Sequence, residues 1–279
     1  MATQGSDLRQ RSYWWDTVAA PTLESPPLPP TVDVAVIGGG ITGLCAARSL
    51  AQRGANVAVL EARSIGWGAS SRNGGMVLTG LKLGAGTLIA RYDRELARQL
   101  FKVSLAAVDR VEHLVEVERI DCRFTRCGHL ALACKPAHYQ QYVSAAQVLA
   151  KEFGHEVRAV PRTELRDEIG SDIYFGGLID AASASLNPAQ YVAGLARAAR
   201  ASGAALHEMT PVEQIERRGS RWRVMTRRGA VEATEILVAT SGYTGSVTPT
   251  LRRRIVPIGS YVIVTEPLSE SLALELSPR

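Results

Sequence analysis

Gly38, Gly40, Gly43 and Glu61 are the residues of this 279-residue chain whose types and spacing most directly imply chemistry. The glycines form G-x-G-x-x-G, and the acid stands eighteen residues beyond the third. Between a strand and a helix, the first glycine permits a tight turn and the second lets a diphosphate reach the backbone. The third lets helix and strand pack closely. An acid ending the next strand can accept hydrogen bonds from ribose hydroxyls, so the set predicts a dinucleotide site. A glycine- and serine-rich loop follows at once, SIGWGASSRNGGMVLTG, in which Gly66, Gly68, Gly74 and Gly75 interrupt any regular element. Its backbone N–H groups and the hydroxyls of Ser70 and Ser71 can wrap an anion, with Arg72 and Asn73 as further donors. The bland alternative for this loop is a flexible linker.

These residues need elements to position them. Val34 to Ile37 reads as a buried parallel strand, β-branched and alanine throughout. The helix predicted from about Thr42 to Gln52 points its N-terminal N–H groups and positive dipole end at the phosphates. Arg53-Gly54 ends it, and a second apolar strand, Asn56 to Leu60, delivers Glu61. A glycine triplet alone is weak evidence; strand, turn, helix, second strand and terminal acid in succession supply the context that the chemistry requires.

Composition is that of a globular chain: 46% hydrophobic and 21% charged, enough to bury a core. A net charge of +5 with scattered arginines favours a solvated surface over a nucleic-acid footprint, so no nucleic-acid partner is expected. Cys45, Cys122, Cys127 and Cys134 form neither a disulfide framework nor a standard zinc spacing, although three of them lie near His129, and no metal is expected. With no basic start followed by an apolar stretch, and no run of about 20 apolar residues, neither a leader nor a membrane span is expected. The expectation is a reducing cytoplasm.

Along the rest of the chain, Tyr13-Trp14-Trp15 and the proline-rich PPLPPT predict an extended lead docked on the domain surface through its tryptophans. Residues 90 to about 118 read as one helix with Leu96, Leu100, Val103, Ala107, Val111 and Leu114 on its apolar face. Ile120 to Ala133 alternates as strands do, Pro136 to about Phe153 is helical, and short strands through Ala184 complete an inserted second domain. Asn187-Pro188 opens a helix to Ala201. Strands are expected at Ala204–Glu208, Val212–Arg217, Arg221–Thr226 and Glu235–Ala239, with a tight turn, Thr240 to Tyr243, placed for close approach to a ligand. Arg252 to Arg254 reads as solvated, and Pro257 to Thr265 as a final strand.

The segments SYWWDT, VIGGGITGL, EARSIGWGASSRNGGM, CGHLALA, NPAQYVAGLARAARASGAALHE, ILVATSGYT and IVPIGSYVIVTEPL together resemble the FAD-dependent amine and amino-acid oxidases. These are the relatives of D-amino-acid oxidase, glycine oxidase and sarcosine oxidase, and the likeness is strongest to the gamma-glutamylputrescine oxidase branch. The resemblance implies an α/β fold in which a Rossmann-type FAD-binding domain is split around a β-rich α+β substrate domain. The expected boundaries are an extension at 1–32, FAD-binding parts at 33–118 and 186–250, a substrate part at 119–185, and the start of a second substrate segment at 251–279.

By position, the resemblance assigns Gly38, Gly40, Ile41, Thr42 and Gly43 to the FAD diphosphate, and Glu61 with Ala62 to the adenosine end. Ser70, Ser71, Asn73, Gly74, Gly75 and Met76 would run toward the flavin ring, and Val212 would meet adenine through its backbone. It implies hydride transfer from the carbon beside an amine to flavin N5, hydrolysis of the imine, and reoxidation by oxygen, in polyamine catabolism if the branch holds. No catalytic residue is assigned. Family members continue past the position of Leu268, so the resemblance also implies C-terminal truncation, weak turnover by this chain alone, and association with a second copy or a second chain. The rivals are a nicotinamide dehydrogenase, which Glu61 would serve equally well, and a nucleotide-binding protein without turnover.

Overall fold

A computed structural model describes residues 9–18 and 25–278. Parts of the expected extension, residues 1–8 and 19–24, lie outside the described residues. The chain divides into two compact units. The first comprises residues 1–74, 118–122 and 187–262, and the second the intervening stretches with 263–279. These boundaries differ from those expected from sequence: residues 75–117 join the second unit, because the helices there pack with elements that follow.

The first unit opens with β1 (Thr31–Ile37), α1 (Ile41–Ala51) and β2 (Val57–Leu60). β1 begins three residues ahead of the apolar run because Thr31 and Val32 have partners, Glu232 and Ala233. Gly54, at φ +86°, ends the α1 turn as expected. On α1, Arg48 is buried and its guanidinium is paired with the Glu118 carboxylate, which lets a cation lie within the helix face.

The second unit contains β3 (Met76–Val77), α2 (Ala85–Arg91), α3 (Arg94–Val117), β4 (His129–Leu132) and α4 (Pro136–Val148), the last continued by a π-helical turn to Phe153. β5 (Arg158–Pro161), β6 (Gly176–Asp180) and β7 (Ala184–Ser185) follow. β4, β6 and β5 form one antiparallel sheet, and β3 pairs with β7.

Three expectations are corrected here. The single helix across 90–118 is two, since the Asp93 carboxylate accepts from Leu96 N–H at 2.8 Å and starts a new helix. The buried face of α3 is Ala97, Phe101, Ser104, Val108 and Leu114; Leu96 and Val103 are 41% and 67% exposed. Phe101 decides this by stacking on Phe153 and His155, while Ser104 buries its hydroxyl by accepting from Gly80 N–H and donating to Phe101 O. In the alternating run 120–133 only β4 is a strand, because Arg123 and Gly128 adopt φ +52° and +74° and interrupt it. Thr125 makes a lone bridge to Ser185.

The chain returns to the first unit with α5 (Pro188–Ala201), then β8 (Ala205–His207), β9 (Val212–Arg218), β10 (Arg221–Thr226) and β11 (Gly229–Val238). Asn187 caps α5, accepting from Ala189 and Gln190 N–H at 3.1 Å each. The six-stranded sheet has the order β8-β2-β1-β11-β10-β9. Its first four strands are parallel, β10 runs antiparallel to β11, and β9 runs antiparallel to β10. The order places β1 at its centre, with Val34, Val36 and Ile37 opposite Val57, Val59 and Leu60 on one side and Glu235, Leu237 and Val238 on the other.

Two short helices close the chain, α6 (Pro249–Arg252) and α7 (Glu270–Leu276). The strand expected over Pro257 to Thr265 is absent. The segment forms no regular element and pairs with no strand among the described residues, and Ile258 and Tyr261 are 86% and 92% exposed. Apolar alternation proposes a strand, but a ladder partner makes one. α7 was not foreseen; Ser269 caps it, accepting from Leu272 N–H at 3.3 Å, and Gly170 N–H reaches Leu276 O at 3.1 Å. Among the described residues no helix is long and apolar enough to cross a membrane.

Candidate functional site

The site is built where β1 turns into α1. Gly38 adopts φ +110°, and a Cβ there would stand 2.6 Å from the Ala239 carbonyl oxygen, so the end of β11 closes on the glycine turn. At Gly43 a Cβ would lie 2.0 Å from Gly38 O and 3.2 Å from a Val36 methyl, which makes this glycine the contact between helix and strand. Gly40 differs from both. A Cβ there would meet only the Ser70 side chain, with its hydroxyl at 2.7 Å, so the space above this residue is bounded by a movable group.

Gly40 is the N-cap of α1 and has no side chain to satisfy the first-turn N–H groups. Ser70 Oγ accepts from Ile41 N–H at 3.1 Å, the contact a phosphate oxygen would make. The arrangement can therefore take an anion on backbone N–H groups, with the positive end of the helix beneath it.

Glu61 stands beside this turn at the end of β2. Its carboxylate accepts from Gly39 N–H at 2.7 Å and from Arg63 N–H at 2.9 Å, which fixes its orientation and leaves lone pairs on both oxygens. Residues 61–65 are tied to the connection between β8 and β9: Thr210 N–H donates to Glu61 O, Met209 N–H to Arg63 O, and the Glu208 carboxylate accepts from Ile65 N–H at 2.6 Å. Ala62 lies in that stretch, and Val212 begins β9 two residues beyond Thr210, half-buried against the core.

The loop beyond Glu61 holds together through its own groups. Ser71 is buried and donates to Gly66 O, while Asn73 Nδ2 donates to Ala69 O and Ser70 O. Arg72 donates to Trp67 O at 2.7 Å and stacks on the Trp67 ring at 4.3 Å. The structure thus brings Gly38, Gly40, Ile41, Thr42, Gly43, Glu61 and Ser70 together. Gly74 ends the first unit, and Gly75 and Met76 belong to the second, where Gly75 O accepts from Leu186 N–H at 2.9 Å. The turn Thr240 to Tyr243 adjoins Ala239, and Tyr243 packs edge-on to Trp67. Sequence reasoning missed Gly39, whose N–H orients Glu61, and Glu208, whose only signal is an acid just past a strand end.

The profile of one family, FAD dependent oxidoreductase, matches residues 33–278, which includes this whole arrangement. The chain belongs to that family. Curated relatives include the "Probable oxidoreductase OrdL" of Haemophilus influenzae, 33% identical over 94% of this chain and 62% of its own length. The gamma-glutamylputrescine oxidoreductase of Escherichia coli is also 33% identical, over 89% of this chain and 58% of its own. The chain thus spans about three-fifths of the length of these relatives. Among solved structures, glycine oxidase from Geobacillus kaustophilus superposes with a TM-score of 0.69 over 80% of this chain and 59% of that one, at 24% identity. L-amino acid deaminase from Proteus vulgaris gives 0.66 over 82% and 51%, at 19% identity. These likenesses are of fold. FAD is the cofactor of the family, and a helix N-terminus whose N-cap, Gly40, has no side chain, with an oriented acid beside it, suits its diphosphate and ribose.

Proposed function

We propose that Gly38, Gly40, Ile41, Thr42 and Gly43 hold the FAD diphosphate on backbone N–H groups, with Ser70 turning its hydroxyl to the phosphate, and that Glu61 accepts from the adenosine ribose. Ala62 and Val212 border the adenine, and Ser71 and Asn73 to Met76 carry the chain toward the flavin. The observation that supports this most is the Gly40 position: an N-cap without a capping side chain, facing only a hydroxyl that can rotate away. When bound there, FAD would supply a hydride acceptor for the carbon bearing an amine nitrogen, with oxygen as the final electron acceptor. The protein's part is to bind and orient it.

The proposed activity is oxidation of a C–N bond in an amine or amino acid. Identity of 33% to a gamma-glutamylputrescine oxidoreductase supports a flexible polar amine, such as a gamma-glutamylated polyamine. Purified chain is expected to be yellow and to release FAD on denaturation; release of NAD without flavin overturns the cofactor assignment. Gly40→Val should abolish flavin binding, because its side chain would occupy the place of the phosphate. Offered amines, amino acids or 2-hydroxy acids with oxygen, any peroxide formed should come from the first two. Turnover of 2-hydroxy acids alone contradicts the substrate class.

A further inference from the structure

Residues 12–17 precede the span that the family profile matches, yet they touch the loop at the heart of the site. Tyr13–Thr17 forms one 3-10 turn. From it, Trp15 Nε1–H donates to Ser71 Oγ at 2.9 Å, and Trp14 Nε1–H donates to Asn73 O at 2.9 Å. Ser12 Oγ adds a longer bond to Ser71 O at 3.3 Å. The Arg72 guanidinium lies between two indoles, 4.4 Å from the Trp15 ring and 4.3 Å from Trp67. Trp67 in turn carries Arg63 at 4.1 Å, so four side chains form one ladder, Arg63, Trp67, Arg72 and Trp15. Each cation over an indole is favourable, more so when partly desolvated.

The turn is anchored at its other end as well. Thr17 Oγ1 donates to Trp14 O and accepts from Asn187 Nδ2, both at 2.7 Å, and Asn187 is the residue that caps α5. The tryptophans are therefore fixed from α5 and reach across to the loop.

We propose that Trp14 and Trp15 are positioning residues for the FAD diphosphate: an N-terminal clasp that sets the loop 66–74 in its binding conformation. The inference rests on the FAD reading above. Trp15 acts through Ser71. With its hydroxyl lone pair engaged by the indole, Ser71 directs its own proton to Gly66 O and closes the turn at Gly66, whose φ is +73°. That turn presents Ser70 to the α1 N-terminus. Trp14 holds the far side of the same loop at Asn73, whose amide is already bonded back to Ala69 and Ser70. A loop held by its neighbours loses less freedom when it takes a ligand. Removal of the clasp should weaken binding of the diphosphate without touching the adenosine end, which Glu61 holds by separate bonds.

Trp14→Phe and Trp15→Phe test this in the full chain, since each keeps an aromatic ring and deletes one N–H donor. FAD binding is read by flavin fluorescence quenching, adenosine binding by calorimetry, and the ligand-free chain by its thermal midpoint. Each variant should raise the FAD dissociation constant about three- to tenfold, the range for one hydrogen bond, and lower the ligand-free midpoint by only a few degrees, while adenosine affinity stays at the wild-type value. Unchanged FAD affinity in both variants overturns the clasp and leaves the FAD reading standing. An equal loss for FAD and adenosine also overturns it, because general loosening of the unit would give that pattern. Failure of the unaltered chain to bind flavin at all removes the FAD reading, and the clasp with it.

Discussion

At the scale of single residues, the three glycines of the turn differ in what they would tolerate. Gly43 is held by backbone: an added methyl would press on the Gly38 carbonyl, which cannot rotate away, and on a Val36 methyl beside it. Gly43→Ala should therefore separate α1 from β1, with a loss of about 1–3 kcal/mol in a urea unfolding titration together with weaker FAD binding. A wild-type midpoint for this variant would show that the helix has room the contact distances deny. The glycine pattern was legible in the sequence because its reasons are local, a few atoms within one turn. The buried face of α3 was not. A count of Leu and Val favoured Leu96 and Val103, whereas Phe101 and a hydroxyl from Ser104 fill the interior. Burial of a serine depends on a partner, Gly80 N–H, that lies 24 residues away.

At the scale of elements, β8 and the lead residues 25–30 are joined by an unusual pair of groups. His207 of β8 is fully buried; Nδ1 meets Pro26 O at 3.2 Å, and Nε2 has no hydrogen-bond partner among the described residues. Arg228 bonds Ser25, Pro26 and Thr210 nearby. Burial pushes the His207 imidazole below its ordinary value, the Pro26 carbonyl pulls it partly back, and the Arg228 cation lowers it further. The unfolded chain takes up this proton near pH 6.5, and the folded chain only at lower pH. Between those values the unfolded state binds more protons, so acid favours unfolding: this residue's contribution to stability rises with pH and levels off above about 7. Urea midpoints at pH 5, 6, 7 and 8 should climb more steeply for the wild type than for His207→Gln. Parallel curves would mean that His207 titrates alike in both states.

The elements that sequence placed well, α1, α5, β10 and most of the parallel strands, carry their own boundary signals or continuous apolar runs. Pro257 to Thr265 carried the alternation of a strand but no information about what would pair with it. Likewise, Tyr13 to Trp15 announced a docked lead, yet nothing local named Ser71 and Asn73 as the acceptors, which lie more than fifty residues on.

At the scale of the whole molecule, the first unit is assembled from stretches separated by most of the second. β1, the central strand, has β2 as a near neighbour in sequence, but its other edge is covered by β11, whose residues run from Gly229 to Val238. A fragment of residues 1–74 would have the glycine turn, Glu61 and Ser70 in full and would still lack β8, β11 and the Ala239 carbonyl that seats Gly38. That fragment is expected to show no cooperative unfolding by circular dichroism and no quenching of added FAD. Saturable flavin binding by it would show that the β1-α1-β2 unit organises itself.

The position of β11 also has a consequence in time. On the ribosome, the glycine turn between β1 and α1 emerges early, and the strand that completes its sheet is made only after residue 228. At about 5–20 residues per second, the interval from Ile37 to Val238 is on the order of ten to forty seconds. Throughout it one edge of β1, with Val34, Ala35 and Val36 along it, has no native partner to pair with. The nascent chain is thus most exposed to mispairing during the synthesis of its inserted unit, and an early-arriving chaperone or a slowed translation of residues 75–186 would act on that window rather than on the finished fold.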